Sequence, residues 1–115
     1  MEFVNMPLIC ITLLFILMDV ITGFAQACKN HCVDSTILKE GLWHKCGFMF
    51  AIMFGVLCEY AMGIVELGFT LPVSTAVCSY IILTEITSIL ENLGKLSPEL
   101  SDKGFMKIFT KVDKK

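Results

Sequence analysis

The stretch FMFAIMFGVLCEYAMGIV, residues 48–65, is followed after one glutamate by LGFTLPVSTAVCSYIILTEITSIL, residues 67–90. Both runs are mostly apolar and have the length a bilayer-crossing helix needs, roughly 17–25 residues. Each carries a single charged side chain, Glu59 in the first and Glu85 in the second. The link at Glu66-Leu67-Gly68 is short enough to force a reversal, so the two runs are expected to form an antiparallel hairpin. Pro72 then falls in the first turns of the later helix, where a missing amide proton is tolerated. Working outward, residues 6–27 form a third apolar stretch, with Asp19 and Gln26 as its main polar members.

Composition agrees with three spans. Hydrophobic residues make up 56% of the 115 and charged residues 17%, and the mean hydropathy is +0.76. A soluble domain averages about 45–50% apolar and about 25% charged. A chain this small buries only about 60–70% of its unfolded surface, so it cannot hide that much apolar area from water. Lipid can take it. The expected fold is an all-α membrane protein, one membrane domain over residues 1–115, with three transmembrane helices and short cytoplasmic interfacial helices.

Other classes are poorly supported. The net charge is −2 and there is no Arg, so nothing marks a nucleic-acid surface. No Gly-rich phosphate loop, nucleophile elbow or metal-hydrolase helix motif occurs; no enzyme activity and no cofactor are expected. Three of the six Cys (Cys10, Cys58, Cys78) lie inside apolar runs as small packing residues. The remaining Cys28, Cys32 and Cys46 are an odd number, which disfavours a disulfide scaffold. With His31 and His44 they are the right ligand types for Zn²⁺, but their spacing fits no strong pattern, and no metal is expected. Ala25-Gln26-Ala27 resembles a cleavage site, yet the segment before residue 6 has an acid and no Lys, and Asp19 interrupts the apolar run. The stretch is therefore read as a span rather than a removed leader.

Lysine placement orients the spans. The segment before the first helix and the hairpin link have none. The connection 28–47 has Lys29, Lys39 and Lys45, and the tail from Asn92 has six more. Lys-bearing and Lys-free pieces alternate, which places the N-terminus outside and the connection and C-terminus in the cytoplasm. In the connection, Asp34 or Ser35 can cap a helix beginning near Thr36. Trp43, Lys39 and Lys45 are expected at the membrane interface. Ser97-Pro98-Glu99 reads as the start of a tail helix, with Phe105, Ile108, Phe109 and Val112 on one face. Lys107 and Lys111 would meet anionic lipid there.

Each acid sits on a polar or small-residue stripe. Asn5, Thr12, Asp19 and Gln26 recur every seven residues. Ala51, Gly55, Glu59 and Gly63 recur every four, a spacing that lets helices approach closely in lipid. Ser74, Cys78 and Glu85 line up, extended by Ser88 and Asn92. An ionised acid in mid-bilayer costs on the order of 3 kcal/mol or more, so these acids should face protein or water, or carry a proton. Asp19 and Glu85 are placed in the cytoplasmic halves of their spans, and Glu59 in the outer half. Two uses of the stripes fit the spacing. They can hold one three-helix bundle together, or they can pack several copies and later line a water-filled opening. For the second use the candidates are Thr12, Asp19, Gly23, Gln26, Gly55, Glu59, Gly63, Ser74, Cys78, Glu85, Ser88 and Asn92.

Three stretches resemble a known family. Asp19-Val20-Ile21-Thr22-Gly23-Phe24-Ala25-Gln26-Ala27 is similar to a D-x-x-T-G-x-x-x-A signature at the end of the first helix. Asp34-Ser35 through Gly41 and Lys45 resembles an N-S…G…K connection, with Asp34 in place of Asn. Glu85-Ile86-Thr87-Ser88-Ile89-Leu90-Glu91-Asn92-Leu93-Gly94 is similar to E-x-x-S-I-x-E-N-x-x, followed by Pro98. The family is the phage holins of the toxin-secretion and phage-lysis type. The resemblance implies accumulation in the bacterial cytoplasmic membrane, homo-oligomerisation into lesions, and release of an endolysin or toxin that the protein does not itself bind. The Cys-rich, weakly basic connection departs from the family. An antiholin, which shares this fold and blocks assembly by mixed packing, is the first alternative. A small proton-coupled transporter using Glu59 is the second.

The membrane potential acts on charges at about 2.3 kcal/mol per charge per 100 mV. Charge on Asp19, Glu59 and Glu85 would favour compact clusters while the potential stands and hydrated assemblies after it falls. On that hypothesis Glu59→Gln shifts the onset of lysis and its response to an uncoupler. Unchanged timing in both assays would remove Glu59 from the trigger.

Overall fold

The computed structural model describes residues 5–31, 33–69 and 71–97, together with Glu99. Three α-helices make up the fold: α1 Met6–Lys29, α2 Ser35–Val65 and α3 Val73–Leu96. All three are long and apolar enough to cross a membrane, and there is no strand among the described residues.

Local chemistry sets the boundaries. Asn5 caps α1, its side chain accepting from Leu8 N–H, and Pro7 occupies the first turn, where its missing donor costs nothing. Asp34 caps α2 by accepting from Thr36 N–H at 2.8 Å. Between Thr36 and Val65 there is no proline, and Gly41 and Gly47 each cost only about 1 kcal/mol in a helix interior. The helix expected in the connection and the span expected at 48–65 are consequently one continuous rod of 31 residues, not two pieces. No separate interfacial helix precedes the second span.

The link between α2 and α3 is longer than the sequence reading had it. Glu66 ends α2 in the left-handed region (φ 55°) and Gly68 also has positive φ (85°). Pro72 is the cap of α3 and not part of its first turns. A residue before proline is pushed out of the helical region, so α3 starts at Val73 instead of Leu67 and runs six residues past Leu90. The tail helix, with Lys107 and Lys111, lies outside the described residues.

Helix α3 is central. It packs along α1 and against α2, whereas α1 and α2 meet only slightly. A small apolar cluster of Ile16, Phe48, Ile52, Cys78 and Ile81 fills the middle, flanked by Leu8, Ile9 and Val77. Outside it the usual pattern is reversed. Thr12, Asp19, Thr22, Glu59, Ser74, Glu85 and Asn92 are buried, while Leu14, Phe50, Phe54, Leu57, Ile64 and Leu83 are more than half exposed. Water would not tolerate such a surface, but lipid favours it.

Close packing of α2 on α3 depends on Gly55. A Cβ there would lie 3.1 Å from Ser74 Cα and 3.2 Å from Ser74 N, whereas Gly47 has open space around it. Gly55→Leu is expected to destabilise the bundle by about 1–3 kcal/mol. Gly47→Ala should be neutral or stabilising by up to about 1 kcal/mol. Reversible unfolding in mixed micelles, followed by circular dichroism, measures both.

Candidate functional site: a buried polar seam

The polar side chains form a seam through the bundle, organised around Lys45. In α2, Lys45, Phe48, Ile52, Gly55 and Glu59 follow three- and four-residue steps and so share one helical face. That face is the one turned to the other two helices: the last four are buried, and the Lys45 side chain is only 14% exposed. Its Nζ lies 2.5 Å from Asp19 Oδ2 of α1. It also lies 3.1 Å from Glu85 Oε2 and 3.3 Å from Oε1 of α3, donating a hydrogen bond to Oε1. One cation thus ties all three helices, including the pair that otherwise scarcely touch. Glu85 Oε2 is fully buried and accepts no hydrogen bond among the described residues.

Asn92 completes the surroundings of Asp19. Its Nδ2 donates to Asp19 Oδ1 at 2.9 Å, to the Asp19 carbonyl at 3.3 Å and to Thr22 Oγ1 at 3.1 Å. The Thr22 hydroxyl donates in turn to the Met18 carbonyl. Gly23 opens the space in which Asn92 sits, since a Cβ there would be 3.4 Å from the Asn92 amide nitrogen. Further along, Lys29 donates to the Leu96 carbonyl and Asn30 to the Lys95 carbonyl. These contacts hold the C-terminal ends of α1 and α3 level and satisfy carbonyls that a helix end leaves open. Toward the other end, the Ser74 hydroxyl donates to Glu59 Oε1 at 2.5 Å. Ser74 is the second residue of α3, so α2 continues about 9 Å beyond this contact before ending at Val65.

The depth of the charged layer follows from the helix lengths. Asp19 stands ten residues before the end of α1, Lys45 ten after the start of α2 and Glu85 eleven before the end of α3. At 1.5 Å per residue that is about 15–17 Å, close to half of a hydrocarbon core about 30 Å thick. Helix ends set level with the edge of that core would hold all three charges near the midplane.

Most residues of the proposed assembly set lie in this seam. Thr12, Asp19, Gly55, Glu59, Ser74, Cys78, Glu85 and Asn92 are buried inside one chain, Gly23, Gln26 and Ser88 are half-buried, and Gly63 is exposed. Trp43 and Lys39 are exposed on α2, whereas Lys45 turns inward. Lys45 is the residue the sequence reading misplaced. Its signal was its register with Phe48, Ile52, Gly55 and Glu59, visible only once α2 is known to run unbroken through the connection. No group of three His, Cys, Asp or Glu side chains able to hold a metal ion occurs among the described residues, and Cys32 is not one of them.

A family model for the bacteriophage holin family matches residues 4–112. The match takes in all three helices and the charged layer, and the chain belongs to that family. It is a multi-pass, holin-type membrane protein. No curated protein and no solved structure matches it significantly.

Removing Lys45 alone should be severe. Lys45→Met leaves Asp19 and Glu85 buried, adjacent and without a counter-charge, a loss expected at about 3–5 kcal/mol. Combining it with Asp19→Asn and Glu85→Gln removes the stranded charges and should recover most of that loss. Unfolding in mixed micelles distinguishes the two variants, and a cost below about 1 kcal/mol for Lys45→Met would contradict the assigned role.

Proposed function

We propose that this chain is a lysis or secretion holin. It accumulates in the bacterial cytoplasmic membrane with its N-terminus outside and its C-terminus in the cytoplasm. It then assembles with copies of itself into lesions that release an endolysin or a toxin. The observation that carries this reading is the family match over residues 4–112, on a chain whose outer surface is mostly apolar and whose main polar seam is internal.

The seam explains why one copy leaves the membrane tight. Its buried carboxylates, hydroxyls and amide are held among the three helices, and the outward faces are mostly apolar, apart from one polar strip on α3 and scattered polar side chains. A water-filled opening needs several copies and needs the seam turned toward it. The contacts that close one bundle, Asn92 with Asp19 and Ser74 with Glu59, are of the kind that can be exchanged between copies or replaced by water at little net cost. Association in lipid has no large apolar driving force and depends on such polar and close-packed contacts. The protein supplies no catalysis in this scheme. Its cargo passes through the lesion without being bound.

Co-expression with an endolysin that lacks an export signal tests the reading. The pair should lyse the culture abruptly after a lag, while the endolysin alone leaves cells intact. An intact membrane after expression of this chain, together with delayed lysis by a second holin, would instead identify an antiholin. Saturable flux of one solute, in place of size-limited leakage, would identify a transporter.

A further inference from the structure

One polar surface lies outside the seam. On α3, Thr84, Thr87, Ser88 and Glu91 line a shallow open groove. Their three- and four-residue steps place them on one helical face, beside rather than within the buried face of Ser74, Cys78, Ile81 and Glu85. Thr84 and Thr87 turn their hydroxyls back to the Tyr80 and Leu83 carbonyls. Glu91 is exposed and has neither an ion pair nor a hydrogen bond among the described residues. An unpaired carboxylate on the lipid-facing side of a spanning helix is costly, so this face calls for a partner.

The same chain carries the complement. Lys39 of α2 is exposed and also lacks a partner among the described residues. Lys39 lines up on α2 with Cys46, Phe50, Met53 and Leu57, the face opposite the core and exposed throughout. The two charges match in depth: Lys39 stands six residues from Lys45, and Glu91 six residues from Glu85. Each is therefore about 9 Å from the shared ion-pair layer, and on the same side of it, toward the start of α2 and the end of α3.

We propose that the Thr84–Glu91 groove of α3 is the docking surface for the outer face of α2 of a second copy, with Glu91 of one copy paired to Lys39 of the next. The assignment rests on the self-assembly proposed above and specifies its geometry. Two copies inserted in the same sense cannot pair this groove with itself, because Glu91 would then face Glu91. The interface is therefore heterologous, one face of α2 against a different face on α3. Such contacts propagate from copy to copy into rings or open arcs, whereas a two-fold contact stops at the dimer. A propagating contact is what a wide lesion requires.

The test uses the full chain, labelled for Förster transfer and reconstituted in phosphatidylethanolamine–phosphatidylglycerol vesicles over a range of protein-to-lipid ratios. Lys39→Glu and Glu91→Lys each place like charges across every interface. Each alone should weaken association by about threefold to tenfold. Mixed in equal amounts they should regain wild-type transfer, because Glu91 of the first variant meets Lys39 of the second, and the introduced Lys meets the introduced Glu at the next contact. Wild-type association in both single variants, or loss in both without recovery in the mixture, would overturn the assigned surface while leaving self-assembly intact. No transfer by the wild-type chain at any ratio would instead defeat the self-assembly reading on which it rests.

Discussion

The ion pairs of Lys45 with Asp19 and Glu85 are the constraint around which the rest of the molecule is arranged. Three charges on helices apolar enough to cross a membrane are individually expensive. Together, with Asn92 donating to Asp19, they become a junction between helices. Because α1 and α2 are otherwise in slight contact while α3 packs along α1, this junction is the main direct tie between the first span and α2. Desolvating ions weakens the net gain from such a pair, but breaking it strands a charge. The geometry shows the layer joining all three helices at one level.

Around that layer the molecule is built inside out relative to a soluble domain. Small residues and hydroxyls hold the helices close: Gly55 against Ser74, Gly23 against Asn92, Ser74 against Glu59. The large side chains face outward. In lipid this is the economical arrangement, since apolar contact between helices competes with equally apolar acyl chains, and polar contacts and tight backbone approach do not. It also links structure to function. In the function proposed above, a chain closed on its own polar seam is the harmless form, and the same seam supplies the polar groups of the hydrated assembly.

Much of this could be read from the sequence. Three apolar runs of sufficient length pointed to the class, and the stripes on them marked Thr12, Asp19, Gly55, Glu59, Ser74, Cys78, Glu85 and Asn92, which are buried, but equally Gly23, Gln26 and Ser88, which are half-buried, and Gly63, which is exposed. Two things were hidden, for physical reasons. Continuity of α2 through the connection depends on an absence of breakers that weighs little in any local window, so Lys45 looked like a headgroup residue. The start of α3 depends on Pro72 acting as a cap rather than a first-turn residue, with the residue before the proline held out of the helical region. The three stretches that carried the family resemblance contribute Asp19, Lys45 and Glu85 respectively, so the motifs had already named the junction without showing that its members meet.

The most direct test is a distance in the membrane itself. Dipolar recoupling between the ¹⁵N-labelled Lys45 side chain and the ¹³C-labelled carboxyls of Asp19 and Glu85, in lipid bilayers, should place the ammonium within about 4 Å of both, the reach of an ion pair. A Lys45 ammonium that shows no coupling to either carboxyl and exchanges freely with headgroup water would contradict the account.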